Sequence, residues 1–204
     1  KAMECSSGSL YDASLAIRWA AGDSVKELPV IAKRADVINL SLGSEVMCPS
    51  YMQAAIDYAI SRGSIVVASA GNNTVNVKNN APSNCEGVIS VGAINNLTAD
   101  TLTISAQGDN IISFAKTDTD AKYGNWGGTS FASPVVAGVY ALVKSHAPNV
   151  PNDVLNALAK RTAKAHEGAG CESFGCGAGL IDAKSFVDAA LVFEEVGFAV
   201  VGLL

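Results

Sequence analysis

Charge, aromatic rings and histidine are all scarce in this sequence, and each scarcity excludes something. Charged residues make up 16% of the 204 positions and aromatic residues 6%, while 49% are hydrophobic. A chain this apolar buries a core and is not disordered. Lys plus Arg number 14 against 19 Asp plus Glu, a net charge of −5. Nucleic-acid binding draws on clustered cations that displace counterions from phosphate, and this balance argues against it. No stretch of 18 uncharged apolar residues occurs, so no membrane-spanning helix is expected. The apolar tail 196–204 is too short to span and follows Glu194 and Glu195. Residues 1–9 lack the apolar core of a signal peptide.

There are two histidines and no CxxC pair, which excludes the usual zinc sites. The five cysteines stand at 5, 48, 85, 171 and 176. Four of them could form two disulfides, which would place the protein in an oxidising compartment. The fifth is then free or pairs outside the chain. There is no internal repeat and no Pro/Ser linker, so residues 1–204 read as one domain.

What the chain does contain is short apolar strings separated by helical segments. Leu10 to Ala21 reads as a helix stopped by Gly22, and Ser50 to Arg62 as a helix stopped by Gly63. Asp36-VINLSL, Ser64-IVVASA and Val88-ISVGAI read as buried strands. Ile104 and Ile111-ISFA read as weaker strands, and Thr74 to Asn84 as a polar loop. Thr129 to Ser145, Pro151 to Arg161 and Asp182 to Phe193 read as helices. Alternation of this kind implies an α/β fold: a mostly parallel sheet between two helical layers. Working groups are then expected beyond the C-terminal ends of the strands.

Two loops meet that description. Gly127-Gly128-Thr129-Ser130 opens a helix rich in small residues, Ala132, Ala137, Gly138 and Ala141. A serine at a helix start is commonly a cap. Here the small residues let other backbones close in, and the helix N-terminus carries about half a positive charge. A serine oxygen so placed can attack a carbonyl while nearby N–H groups receive the oxyanion. The second loop is Ala68-Ser69-Ala70-Gly71-Asn72-Asn73. Asn after a strand is commonly a turn residue, but its amide can also donate to a developing oxyanion.

Together these segments resemble the subtilisin-like serine peptidases, the subtilases, of the secreted bacterial type. The resemblance is carried by DVINLSLG (36–43), SIVVASAGNN (64–73), APSNCEGVISVGA (81–93), GTSFASPVVAGVYALV (128–143) and CGAGLIDA (176–183). It implies a three-layer, subtilisin-like α/β/α fold and a serine endopeptidase. Ser130 would be the nucleophile and Asn72 the oxyanion donor, with support from the Ser130 N–H and the Thr129 hydroxyl. Ser41, Leu42 and Gly43, with Ala68, Ser69, Ala70 and Gly71, would wall the pocket for the side chain before the scissile bond. Their small size suggests room for a sizeable apolar side chain. The strand at Ser41 to Gly43 would pair with an extended polypeptide substrate. The family also implies disulfides Cys48–Cys85 and Cys171–Cys176, a secreted protein, no cofactor for the chemistry, and structural calcium in many members.

The departures are as informative. The family's Asp and His precede its nucleophile in D-[ST]-G and H-G-T motifs, and neither motif is present. His146 and His166 both follow Ser130. The resemblance therefore implies that residues 1–204 correspond to the C-terminal two-thirds of a catalytic domain, with a missing N-terminal segment of that domain as its partner. The family's APG turn is replaced by Phe114-Ala115-Lys116-Thr117. Two other functions compete. A nucleotide or phosphate binder would use the same helix start, but neither GxxxxGK[ST] nor GxGxxG occurs. A non-catalytic, subtilase-derived binding or structural domain would explain the absent triad members. An α/β-hydrolase is excluded by the lack of G-x-S-x-G.

Overall fold

The computed structural model describes residues 3–4, 7–73, 77–94, 102–116, 121–166 and 175–197. A short antiparallel pair, β1 (Met3–Glu4) and β2 (Ser7–Gly8), leads into helix α1 (Leu10–Ala20), capped by the Ser9 hydroxyl. Strand β3 (Val37–Leu40) follows, then α2 (Ser50–Ser61), β4 (Ile65–Ser69), a 3₁₀ turn (Val77–Asn79), β5 (Ile89–Ala93) and β6 (Ile104–Ala106). Strands β7 (Ile111–Lys116) and β8 (Ala121–Trp126) precede helices α3 (Thr129–His146), α4 (Asn152–Arg161) and α5 (Ala183–Val196).

The central sheet is parallel, in the order β3-β4-β5-β6. Its strands are continuous apolar runs because both faces are covered. Along β4, Val66 and Ala68 face the layer of α1 and α2, with Ile17, Met52 and Ile56. Ile65 and Val67 face the other layer, with Val136 and Tyr140 of α3, Leu155 of α4 and Phe186 of α5. This is the three-layer α/β/α arrangement expected from the alternation. The Asp182 carboxylate caps α5 by accepting from the Ser185 N–H. The Lys164 ammonium and that N–H hold the carboxyl down to about 2.

Residues 111–126 depart from the expectation. Only the first strand was anticipated there, yet β7 and β8 form an antiparallel hairpin, pairing Phe114 with Tyr123. These two rings stack at 4.9 Å on its exposed surface. A strand with one solvated face and a partner rich in polar residues and glycine carries little apolar periodicity. Val77 also departs: it is buried inside a segment that reads as a polar loop.

Cys48 and Cys85 form a disulfide with their Cα atoms 5.2 Å apart and a sequence separation of 37. It ties the entry of α2 to the turn before β5. In the chain-entropy account a loop of that length is worth about 4 kcal/mol. Replacing both cysteines by alanine in the full-length protein is expected to lower the unfolding free energy by about that amount, read from denaturant midpoints. A loss under about 1 kcal/mol would show that the crosslink does not constrain the unfolded chain. Cys176 is also disulfide-bonded; Cys171 and Cys5 lie outside the described residues.

Candidate active site

The C-terminal ends of β3 and β4 and the N-terminus of α3 enclose one cleft of about 490 Å³. Its lining includes Ser130, Thr129, Asn72, Gly71, Ser69, Leu42 and Gly43. Two strand-end loops and a helix start, up to 88 residues apart in sequence (130 − 42), thus meet at one place.

Local chemistry fixes each member. Gly128 precedes α3 with φ 128°, in the left-handed range that favours glycine. A Cβ there would stand 3.1 Å from both Nδ2 and Oδ1 of Asn72, so glycine also admits the amide. The Thr129 N–H donates to Asn72 Oδ1 at 2.8 Å, and the Thr129 hydroxyl donates to the same oxygen at 3.0 Å. A backbone N–H can only donate, so this bond fixes which end of the amide faces the helix. Asn72 Nδ2 is left with no protein partner among the described residues. Thr129 Oγ1 in turn accepts from the Gly71 N–H at 3.2 Å. The Thr129 proton is therefore spent on Asn72. In this geometry its hydroxyl positions the amide, where the resemblance implied a direct oxyanion contact.

Pro134 sits one turn into α3. Lacking an N–H, it cannot donate to the carbonyl of Ser130, four residues back. The Ser41 hydroxyl donates to that carbonyl instead, at 2.8 Å. With its proton so used, Ser41 Oγ accepts from Asn39 Nδ2 at 3.0 Å and from the Ser133 hydroxyl at 3.1 Å. Ser41 thus ties the end of β3 to the first turn of α3 and does not line the cleft.

Of the expected pocket wall, Leu42, Gly43, Ser69 and Gly71 line the cleft. Ala68 and Ala70 do not: they are buried behind it. Four further lining residues, Ser44, Glu45, Asn73 and Asn80, were not anticipated. Polar residues in loops look alike in sequence, and nothing local marks which of them turn inward. The lining is consequently polar, with Leu42 its one alkyl side chain, which departs from the apolar pocket expected from small walls. Beside Ser130, the Phe131 ring stacks on Trp126 of β8 at 6.0 Å.

His146 ends α3, sixteen residues beyond Ser130, about 24 Å along a helix rising 1.5 Å per residue. Its Nδ1 contacts the Leu142 carbonyl and Ser145 Oγ, each at 3.0 Å. His166 lies after α4. Neither lines the cleft. Among the described residues, no three His, Cys, Asp or Glu side chains gather where they could hold a metal ion. Among the described residues, too, no helix is long and apolar enough to cross a membrane.

Ser130 thus stands at a buried helix N-terminus, beside an amide with spare donor capacity and beyond the C-terminal ends of parallel strands, where open α/β sheets carry their sites. Residues 1–179 match the subtilase family, and the chain belongs to it. It is 43% identical over 197 residues to an extracellular protease of Xanthomonas campestris, covering 90% of this chain and 34% of that one. It is 31% identical over 201 residues to an extracellular basic protease of Dichelobacter nodosus, covering 89% and 33%. Among solved structures, a protease of Pseudoalteromonas arctica superposes with a TM-score of 0.80 at 34% identity, covering 90% of this chain and 59% of that one. The chain therefore spans about a third of the length of the curated relatives it matches.

Proposed function

We propose that this chain is the nucleophile-bearing part of a secreted serine endopeptidase. The observation that carries the reading is the shared cleft: Ser130 at the start of α3, with Asn72 held by Thr129 so that Nδ2 remains to donate. Ser130 Oγ bonds to the carbonyl carbon of an extended polypeptide. The carbonyl π electrons move onto oxygen, and that oxyanion accepts from the Ser130 N–H and Asn72 Nδ2. Collapse expels the amine and leaves an acyl-enzyme, which water releases. The Ser130 proton passes to a histidine, oriented by an aspartate, from the N-terminal segment of the same domain, and that histidine gives it to the departing amine. The backbone of 41–43, beyond the C-terminal end of β3, pairs with the substrate by strand addition. No step runs through a metal or cofactor.

Secretion is supported by the extracellular naming of two relatives and by the disulfides. The non-catalytic alternative makes the opposite forecast for one experiment. Incubating the full-length protein with a fluorophosphonate and mapping the adduct should give one label, on Ser130. A protein that stays unlabelled at Ser130 is a binding domain.

Asn72→Ala should lower kcat about 10²–10³-fold, a loss measured in subtilisin itself for such a donor, with KM little changed. If the amide were only a turn residue, melting temperature would fall and kcat would hold.

A further inference from the structure

The cleft carries a second signal, set by two acceptors that the catalytic reading does not use. Asn80 is 8% exposed and lines the cleft. Its Nδ2 donates to the Ala70 carbonyl at 2.9 Å and to Ser83 Oγ at 3.3 Å. The Ser83 hydroxyl spends its own proton on the Asn80 carbonyl, at 2.8 Å, so it can only accept from the amide. Both partners thus fix the amide's orientation and use up its two protons. Oδ1 is left as an acceptor with no hydrogen-bond partner among the described residues, on a side chain that lines the cleft. Gly43 and Gly71 pack against this amide, and a Cβ on either would stand 3.1 Å from Nδ2.

The second acceptor is Glu45, an exposed residue in the lining of the same cleft. One carboxylate oxygen, Oε1, accepts from Asn73 Nδ2. The other has no partner among the described residues, and no described Lys or Arg forms an ion pair with the group. Leu42 supplies the apolar contact.

We propose that this cleft selects peptides whose residue before the scissile bond is lysine or arginine. The inference rests on the peptidase reading for the word scissile, and on Asn80, Glu45 and Leu42 for the choice. An alkyl stem lies against Leu42 while its cationic head meets Asn80 Oδ1 and the Glu45 carboxylate. A leucine or phenylalanine side chain would strip water from Oδ1 and give nothing back, a loss of roughly tenfold or more. A glutamate would meet Glu45 as a like charge. A neutral amide would satisfy Oδ1 but leave Glu45 without a counter-charge. The chain's net charge of −5 has the sign that draws cationic peptides in.

The test uses the full-length protein and peptides differing only at that residue: lysine, arginine, norleucine, phenylalanine and glutamate. Lysine and arginine should exceed norleucine and phenylalanine at least about tenfold in kcat/KM, with glutamate slowest. Glu45→Gln, an exposed substitution, should reduce the lysine-to-norleucine ratio about fivefold, and high salt should reduce it in the wild type. Equal or faster cleavage after norleucine or phenylalanine overturns the proposal, as does a ratio unmoved by Glu45→Gln. Calorimetry on the Ser130→Ala protein, with peptides ending in lysine or norleucine, separates the two readings. Tighter binding of the lysine peptide without any wild-type hydrolysis keeps this specificity and removes the peptidase. Hydrolysis with an apolar preference does the reverse.

Discussion

Ser130→Ala in the full-length protein is expected to reduce peptide hydrolysis on the order of 10⁶-fold in kcat, the loss known for the same change in subtilisin. The substitution deletes one oxygen. Ser130 is only partly buried, and no described hydrogen bond runs from its hydroxyl, so folding should be almost unaffected. The contacts that hold this turn belong to other atoms. Ser41 holds the Ser130 carbonyl, and Thr129 holds Asn72. A residual rate above the uncatalysed reaction should survive, because the oxyanion donors remain. The paired measurement is kcat on a peptide substrate with the melting temperature of each protein. Wild-type turnover by the alanine variant ends the nucleophile assignment. Lost turnover with a melting temperature lowered by many degrees would instead show Ser130 to be structural.

Elements buried on both sides were legible in the sequence, because their apolar runs and glycine stops depend on neighbours within one turn. β4, with all five residues buried, and α3 are of this kind. The β7–β8 hairpin was legible only in part. Its exposed face carries Ile112, Phe114 and Tyr123, so burial did not impress a pattern on it. The candidate site divides the same way. Ser130 and Asn72 lie within local motifs that end a strand or begin a helix. Asn80 reaches the cleft through long-range approach, past Gly43 and Gly71, and a loop asparagine has no periodicity to betray it, while Glu45 lies two residues beyond Gly43 in a loop with no pattern of its own. Thr129 shows a further limit. Its place beside the nucleophile was readable, but the destination of its proton depends on Asn72, 57 residues away in sequence.

The 204 residues on their own are expected to hydrolyse peptides on the order of 10⁶-fold more slowly than a protein that supplies the family's Asp and His. A serine hydroxyl is a weak nucleophile at neutral pH unless a base takes its proton. Removing the histidine alone costs subtilisin on the order of 10⁶ in kcat. Neither histidine here can serve. His146 is at the far end of α3, bonded to its own last turn, and His166 lies outside the cleft lining. Glu45, the one carboxylate of the lining, is held through Oε1 by Asn73, and no described hydrogen bond joins it to Ser130. The open side of β3 has a further consequence. Among the described residues β3 is an edge strand, and an unpaired parallel edge next to buried helices invites another strand. The isolated chain should therefore associate at high concentration and do so less once that edge is paired. The measurements are hydrolysis of a chromogenic peptide by both proteins, circular dichroism to establish that the shorter one is folded, and light scattering for its association. A folded 204-residue chain that matches the longer protein in rate would mean that a base outside the family's pattern activates Ser130, and the proposed division of the triad would fall.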